Sequence, residues 1–187
     1  MNSKQEKFDK ISHQILKCKK CSLCETAIQA VVGEGNLDTK IIFIGEAPGK
    51  NEDEIGRPFV GRAGKLLDTC LKNIGLERGD VWIGNLIKHR PPKNRDPLPE
   101  EIKACQDYLK AQIDIIQPEV IVTLGRFSFN YFFPNDKITS ERGKLKRFGN
   151  YQIFPVYHPA AALRNKKFLS TLQDDFLTLS DILGENK

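Results

Sequence analysis

The chain has 187 residues and a net charge of +5, with 40% apolar and 28% charged residues, which excludes a disordered or low-complexity protein. No apolar run approaches the roughly 20 residues of a membrane span, and the polar N-terminus is no secretory signal, so we expect a cytoplasmic protein without a membrane segment. The length fits one domain over residues 1–187, and we expect a monomer, since nothing in the sequence indicates an oligomer.

The first predicted element is an amphipathic helix over residues 4–17, which leads into a cysteine-rich turn. Cys18, Cys21 and Cys24 form two overlapping C-x-x-C pairs, and such tight turns direct thiolates toward a metal ion or cluster. The odd total of five cysteines argues against a disulfide framework. Residues 4–24 are therefore predicted to be a metal-binding segment at the start of the domain.

Apolar segments alternate with helical patterns along the rest of the chain. The predicted strands are 41–45, 81–87, 119–124 and 153–157, with helices at 62–74, 99–116, 126–133 and 166–183. Residues 30–32 are predicted as a further short strand, and 138–152 as a hairpin with turns at its glycines. This alternation of strand and helix predicts an α/β fold in which a parallel sheet lies between helices.

Polar side chains follow three of the four main strands. Glu46 sits on the glycine- and proline-rich turn after the first strand, Asn85 and His89 close the second, and His158 follows the fourth. The carboxyl ends of parallel strands lie at one edge of a sheet, where open α/β sheets bind their ligands. We therefore predict an active site at this edge.

Five motifs, in this order, resemble those of the family 4 uracil-DNA glycosylases, the iron–sulfur members of the uracil-DNA glycosylase superfamily. They are Gly45-Glu46-Ala47-Pro48-Gly49, Arg57-Pro58-Phe59-Val60-Gly61, Asn85-Leu86-Ile87-Lys88, Arg90-Pro91-Pro92 and His158-Pro159-Ala160. The resemblance implies a three-layer α/β/α fold around a central four-stranded parallel sheet. It also implies base-excision repair, in which the N-glycosidic bond of uracil in DNA is hydrolysed to leave an abasic site.

The resemblance further implies a [4Fe–4S] cluster bound by Cys18, Cys21, Cys105 and the residue at position 89. That last position carries His89 where the family pattern has cysteine. We favour His89 as the fourth ligand, because it lies sixteen positions before Cys105 as the pattern requires. The alternatives are that Cys24 completes the set, that the fourth iron stays open, or that the same ligands bind zinc.

The resemblance also assigns roles at the active site. Glu46 and His158 are the catalytic candidates: the carboxylate orients or activates water, and the imidazole donates a hydrogen bond to uracil O2. The substrate-binding candidates are Gly45, Ala47, Phe59 and Asn85. Phe59 is expected to stack on the uracil ring, and the Asn85 amide to read its O4/N3 edge. Backbone N–H groups of the Gly45–Ala47 turn are expected to assist His158.

Four further residues are candidates for contacts with uracil-containing DNA. Leu163 is expected to wedge into the base stack and Arg164 to bind a phosphate, while Arg142 and Lys144 lie in a basic segment suited to phosphate contacts. The alternative function is a non-catalytic iron–sulfur module that binds nucleic acid or senses redox state. A third hypothesis is a zinc-stabilised hydrolase of a nucleoside or small glycoside.

Overall fold

A computed structural model describes residues 3–185 of the chain. The α-helices are α1 (Lys4–Leu16), α2 (Leu23–Thr26), α3 (Lys50–Ile55), α4 (Arg62–Asn73), α5 (Pro99–Ile116), α6 (Arg126–Phe132), α7 (Ile138–Glu141), α8 (Pro159–Ala162) and α9 (Lys166–Glu185). The strands are β1 (Glu34–Gly35), β2 (Ile41–Gly45), β3 (Trp82–Asn85), β4 (Val120–Leu124), β5 (Lys146–Phe148) and β6 (Tyr151–Val156).

The six strands form one sheet in the order β1-β3-β2-β4-β6-β5. The four inner strands are parallel to their neighbours and confirm the predicted parallel core. Two short strands extend this parallel core, because β1 and β5 pair antiparallel at the two edges and bring the sheet to six strands within the described chain. These edge strands have only 2 and 3 residues, too few to show an alternating pattern in the sequence.

Residues 30–32 form no ladder strand, contrary to the prediction, and the first strand lies just after them at Glu34–Gly35. The Val31 N–H instead donates to the carbonyl of Lys88, 2.7 Å away and beyond the end of β3. The predicted hairpin is present, because β5 and β6 pair antiparallel around Gly149, although α7 occupies the start of that segment.

Helices cover both faces of the sheet and give the predicted three layers. One apolar cluster joins alternate β2 residues Ile42 and Ile44 to α1, α5 and α6. The other joins Ile41 and Phe43 to α4, α8 and α9. Because every β2 residue is buried, the strand shows no polar alternation, which is typical of a central parallel strand. Within residues 3–185, no helix combines the length and apolar character needed to cross a bilayer.

Candidate active site

The carboxyl ends of β2, β3 and β6 surround a cavity of about 290 Å³. Glu46 follows β2, Asn85 ends β3 and His158 follows β6, and all three side chains line the cavity. The structure therefore brings together three of the residues that the sequence placed at one sheet edge. Ala47 and Phe59 line the same cavity, while Gly45 lies directly behind Asn85 and Phe59.

Gly45 allows the two proposed base-contacting side chains to meet. A Cβ atom at this position would lie 2.5 Å from Asn85 Oδ1 and 2.5 Å from the ring Cζ of Phe59. Only 2% of Asn85 is exposed, and its Oδ1 has no hydrogen-bond partner within residues 3–185. A buried polar atom without a partner costs about 1–3 kcal/mol, so this oxygen is available to accept a hydrogen bond from a ligand in the cavity.

The aromatic wall of the cavity has a strained backbone. Phe59 has φ of 52°, a left-handed conformation that costs a bulky residue on the order of 1–3 kcal/mol. The Arg78 guanidinium holds this turn from behind, with Nη1 donating to the Phe59 carbonyl (3.1 Å) and Nη2 to the Pro58 carbonyl (2.6 Å). Gly64 closes the turn, since a Cβ there would lie 1.6 Å from the Phe59 carbonyl oxygen.

Glu52 joins two loops of the cavity wall. Its Oε1 accepts from the N–H groups of Val60 (2.9 Å) and Gly61 (2.8 Å), and its Oε2 accepts from Gly49 N–H (3.1 Å). Glu52 was not among the predicted site residues, because residues 50–57 have the composition of a solvated loop. A signal was present, since a glutamate three residues after Gly49 is the spacing of a capping box at the start of α3.

His158 has a defined tautomer in this cavity. It is the N-cap of α8, and its Nδ1 accepts a hydrogen bond from the Ala160 N–H at 3.1 Å. The ring proton of the neutral imidazole is therefore on Nε2, which leaves Nε2–H as a donor. Burial lowers the pKa of His158 to about 4, although the nearby Glu52 carboxylate acts in the opposite direction. The ring also lies 5.7 Å from the Phe59 ring, at 30°.

Glu46 is a carboxyl group with a raised pKa. Burial raises the pKa of Glu46 to about 7, the negative charge of Asp96 adds to the effect, and Arg126 opposes it. Asp96 and Arg126 form an ion pair with each other. A carboxyl group that titrates near neutral pH is suited to exchange a proton with water, which is the property required of a general base.

The four predicted metal ligands lie in one region, away from this cavity. Cys18 and His89 line a second cavity of about 180 Å³ together with Cys24, and this cavity shares no lining residue with the first. Burial is the main cause that raises the pKa values of the Cys21 and Cys105 thiols, and each of these thiols also interacts with the charge of Cys18. The structure therefore places all five side chains near one another.

Two observations bear on what this region could bind. Only 5% of His89 is exposed, and its Nδ1 has no hydrogen-bond partner in the described chain, so a ring nitrogen is free to act as a ligand. Within residues 3–185, no three His, Cys, Asp or Glu side chains are grouped to hold a single metal ion.

The structure separates the four DNA-contact candidates into two pairs. Arg164 lines the active-site cavity, and Leu163 beside it is 39% exposed. Arg142 pairs with the buried carboxylate of Asp175, with its Nε 2.8 Å from Oδ2, so its charge is already partnered inside the protein. Lys144 is exposed, but its Nζ donates to a backbone carbonyl in α7, and neither it nor Arg142 lines the cavity.

Comparison with known proteins shows the family of this chain. The family model described as the uracil DNA glycosylase superfamily matches residues 32–178. The type-4 uracil-DNA glycosylase of Sulfurisphaera tokodaii is 48% identical over 95% of this chain and 85% of its own length. Proteins of the same name from Saccharolobus solfataricus and Thermotoga maritima are each 47% identical, over 96% and 89% of this chain and 88% of their own lengths.

The residues matched by the family model include all the residues that line the cavity, and the three relatives align over 89% to 96% of this chain. They confirm the resemblance to family 4 that the five motifs indicated. Since the family model spans most of the chain and the relatives align over nearly all of it, the chain belongs to the uracil DNA glycosylase superfamily.

Proposed function

We propose that this protein is a uracil-DNA glycosylase of base-excision repair, which hydrolyses the N-glycosidic bond of uracil in DNA and leaves an abasic site. The observation that carries the proposal is the cavity at the sheet edge, where an unpaired Asn85 amide, a neutral His158 and a protonatable Glu46 face one space. Membership of the superfamily and the type-4 relatives support the same activity.

Recognition of the base begins when the nucleotide leaves the stack, because its reactive bond cannot be reached inside a duplex. We propose that Phe59 then stacks on the uracil ring, while Asn85 Oδ1 accepts from N3–H and its amide nitrogen donates to O4. Cytosine carries an amino group in place of O4 and lacks the N3 proton, so both contacts would fail. The unpaired Asn85 Oδ1 supports this role, since N3–H supplies the missing donor.

Bond cleavage places a pair of electrons on the departing base. As the C1′–N1 bond breaks, positive charge develops on the sugar and negative charge on uracil O2. His158 donates its Nε2 hydrogen to that oxygen, and the backbone N–H groups of Gly45 and Ala47 assist. The tautomer fixed by Ala160 supports this role, since it leaves the Nε2 proton available.

Water completes the hydrolysis at the opposite side of the sugar. The water oxygen forms a bond to C1′, and its proton passes to the Glu46 carboxylate, which later releases it toward the uracil anion. The ionised carboxylate also stabilises the positive sugar. The raised pKa of about 7 supports a role in proton exchange at neutral pH. We place Leu163 and Arg164 at the DNA, because Arg164 lines this cavity and Leu163, its neighbour in the chain, is 39% exposed.

One assay tests the proposed activity directly. Single-stranded and double-stranded oligonucleotides with one uracil are incubated with the protein and then cleaved with alkali, which breaks the strand at abasic sites. Oligonucleotides with thymine at the same position are the control. We expect cleavage only of the uracil strands. Tight DNA binding without any abasic site, at every salt concentration, would instead support a non-catalytic binding module.

We also propose a [4Fe–4S] cluster bound by Cys18, Cys21, His89 and Cys105. When bound, it would link three parts of the chain, which are the N-terminal segment, the segment that follows β3, and helix α5. Purified protein should contain iron and sulfide with little zinc. Loss of visible absorbance in His89→Ala but not in Cys24→Ala supports His89 as the fourth ligand, and the reverse result assigns that position to Cys24.

The domain organisation, oligomeric state and cellular location of the protein are also proposals. We infer that residues 1–187 form a single domain, because the elements of the described chain pack on the two faces of one sheet. A monomer remains a prediction, and size measurement in solution tests it. A cytoplasmic location remains our expectation, since the proposed substrate is DNA.

A further inference from the structure

A buried lysine lies directly behind the base-reading residue. Lys88 is 0% exposed, although lysines are almost never fully buried without partners. Its Nζ donates to the Asn85 carbonyl at 2.8 Å and to Gln112 Oε1 at 2.7 Å. Lys88 does not line the active-site cavity, so its ammonium group is not in contact with the space that the base would occupy.

The partners of Lys88 are themselves fixed. Gln112 lies on α5 with no exposed surface, and its Nε2 donates to the Val32 carbonyl at 2.9 Å. The Lys88 carbonyl accepts from the Val31 N–H at 2.7 Å, so the residue is held by its backbone as well as by its amine. The Asn85 carbonyl is therefore connected through two short hydrogen bonds to a buried position on a long helix.

Asn85 needs such support, because nothing in the described chain accepts from or donates to its Oδ1. A buried amide without a partner has no hydrogen bond of its own to define its direction. The orientation of the amide is then set by its backbone and by its position directly over Gly45, where a Cβ atom would lie 2.5 Å from Asn85 Oδ1. The peptide plane that follows the Asn85 Cα is held at both of its polar groups, since the Leu86 N–H donates to the Gly45 carbonyl at 2.9 Å and the Asn85 carbonyl accepts from Lys88 at 2.8 Å. Lys88 anchors the side of this plane that β2 does not hold, and the plane sets the direction in which the Asn85 side chain leaves.

We propose that Lys88 is a positioning residue for uracil recognition, which holds the Asn85 carbonyl against α5 so that the amide is already aligned when the base enters. The inference rests on the proposed role of Asn85. A purely structural lysine would support the core without influencing base recognition in particular. If Lys88 positions Asn85, replacing Lys88 should no longer lower the excision rate once Asn85 is replaced by alanine. If Lys88 only supports the core, the loss of rate should persist in that background.

The test is a double-mutant cycle with Lys88→Met and Asn85→Ala in the full-length protein. Methionine keeps most of the length of the lysine and removes its donors. We expect Lys88→Met to lower kcat/KM for uracil excision about 10²-fold, as misplacement of a reacting or reading group by about 1 Å does. Inhibition by free uracil should weaken, while binding to DNA with an abasic site should keep its affinity.

The decisive comparison is made in the Asn85→Ala background, where Lys88→Met should lower the rate by less than about 2-fold, because the two residues act as one unit. An undiminished 10²-fold effect there would overturn the proposal, as would unchanged inhibition by free uracil in Lys88→Met. Wild-type activity of Asn85→Ala alone would instead refute the base-reading role of Asn85. An inactive wild-type protein would refute the proposed function itself.

One control variant and one alternative test variant separate the proposed role from a general loss of stability. Ile113→Val removes one methylene group from the buried face of the same helix and should leave the rate and uracil inhibition unchanged at a comparable melting temperature. If Lys88→Met fails to fold, Gln112→Met tests the same connection by removing the other partner of the amine. It should produce a smaller loss that also disappears in Asn85→Ala, and a loss that persists there would overturn the proposal.

Discussion

Replacement of Gly45 by alanine should damage the active site through a single methyl group. The new Cβ would lie 2.5 Å from Asn85 Oδ1 and from the Phe59 ring, where ordinary contacts between heavy atoms are about 3.5–4.0 Å. One of these side chains must therefore move by about 1 Å, since β2 is buried between two helical layers and cannot yield. A displacement of this size can lower the rate by about 10²-fold.

Single-turnover excision from a uracil-containing oligonucleotide measures this effect. Overpacking should also cost about 1–3 kcal/mol of stability, or a few degrees of melting temperature for a chain of this length. Gly79→Ala is the matched control, because a Cβ at Gly79 meets nothing within 4 Å, and its rate should equal that of the wild type. A Gly45→Ala protein with the wild-type rate and wild-type inhibition by free uracil would refute the reasoning.

Three further predictions follow from the same geometry. Burial favours the protonated form of Glu46, so its contribution to stability should decline as pH rises from about 4.5 to about 7. Chemical denaturation at pH 5 and pH 8 should therefore show a lower free energy of unfolding at pH 8 for the wild type but not for Glu46→Gln. The same pH dependence of the free energy of unfolding in both proteins would contradict this prediction. Glu52→Gln should lower the excision rate about 10-fold, since a charged acceptor of three N–H groups becomes a neutral one; an unchanged rate would show that the loops hold without it. Arg142→Ala should lower the melting temperature by leaving Asp175 unpaired, without changing the salt dependence of DNA binding. Lys144→Ala should instead reduce the slope of log K for DNA binding against log salt concentration by about 1, with little loss of stability. The reverse pattern would assign the phosphate contact to Arg142.

The sequence predicted the central sheet and the edge at which the site lies. Ile41–Gly45 could be recognised as a buried strand because it is continuously apolar, and Asn85 and His158 could be grouped with Glu46 because parallel strands end on the same side. These inferences depend on short segments and on one general property of parallel sheets. They do not require knowledge of any particular contact.

The supports of the site could not be predicted in the same way. Arg78 reaches the carbonyl of Phe59 from 19 residues away, and Arg142 finds its carboxylate 33 residues further along the chain. The basic segment around Arg142 had the composition of a DNA contact, and only the folded chain reveals that the charges of Arg142 and Lys146 are paired with carboxylates of the protein itself. Such pairings depend on tertiary packing, which neither periodicity nor spacing encodes.

The ring of Phe59 serves the core and the cavity at once, and this outweighs its left-handed backbone. Asparagine tolerates this conformation far better than phenylalanine, so Phe59→Asn would relieve about 1–3 kcal/mol of strain in the turn. The same change would remove a ring that is buried in the apolar cluster of β2 and α4, at a cost of about 3–5 kcal/mol. Selection for thermal stability and selection for excision should therefore both retain phenylalanine, and a library sorted only by melting temperature should not accumulate asparagine at this position.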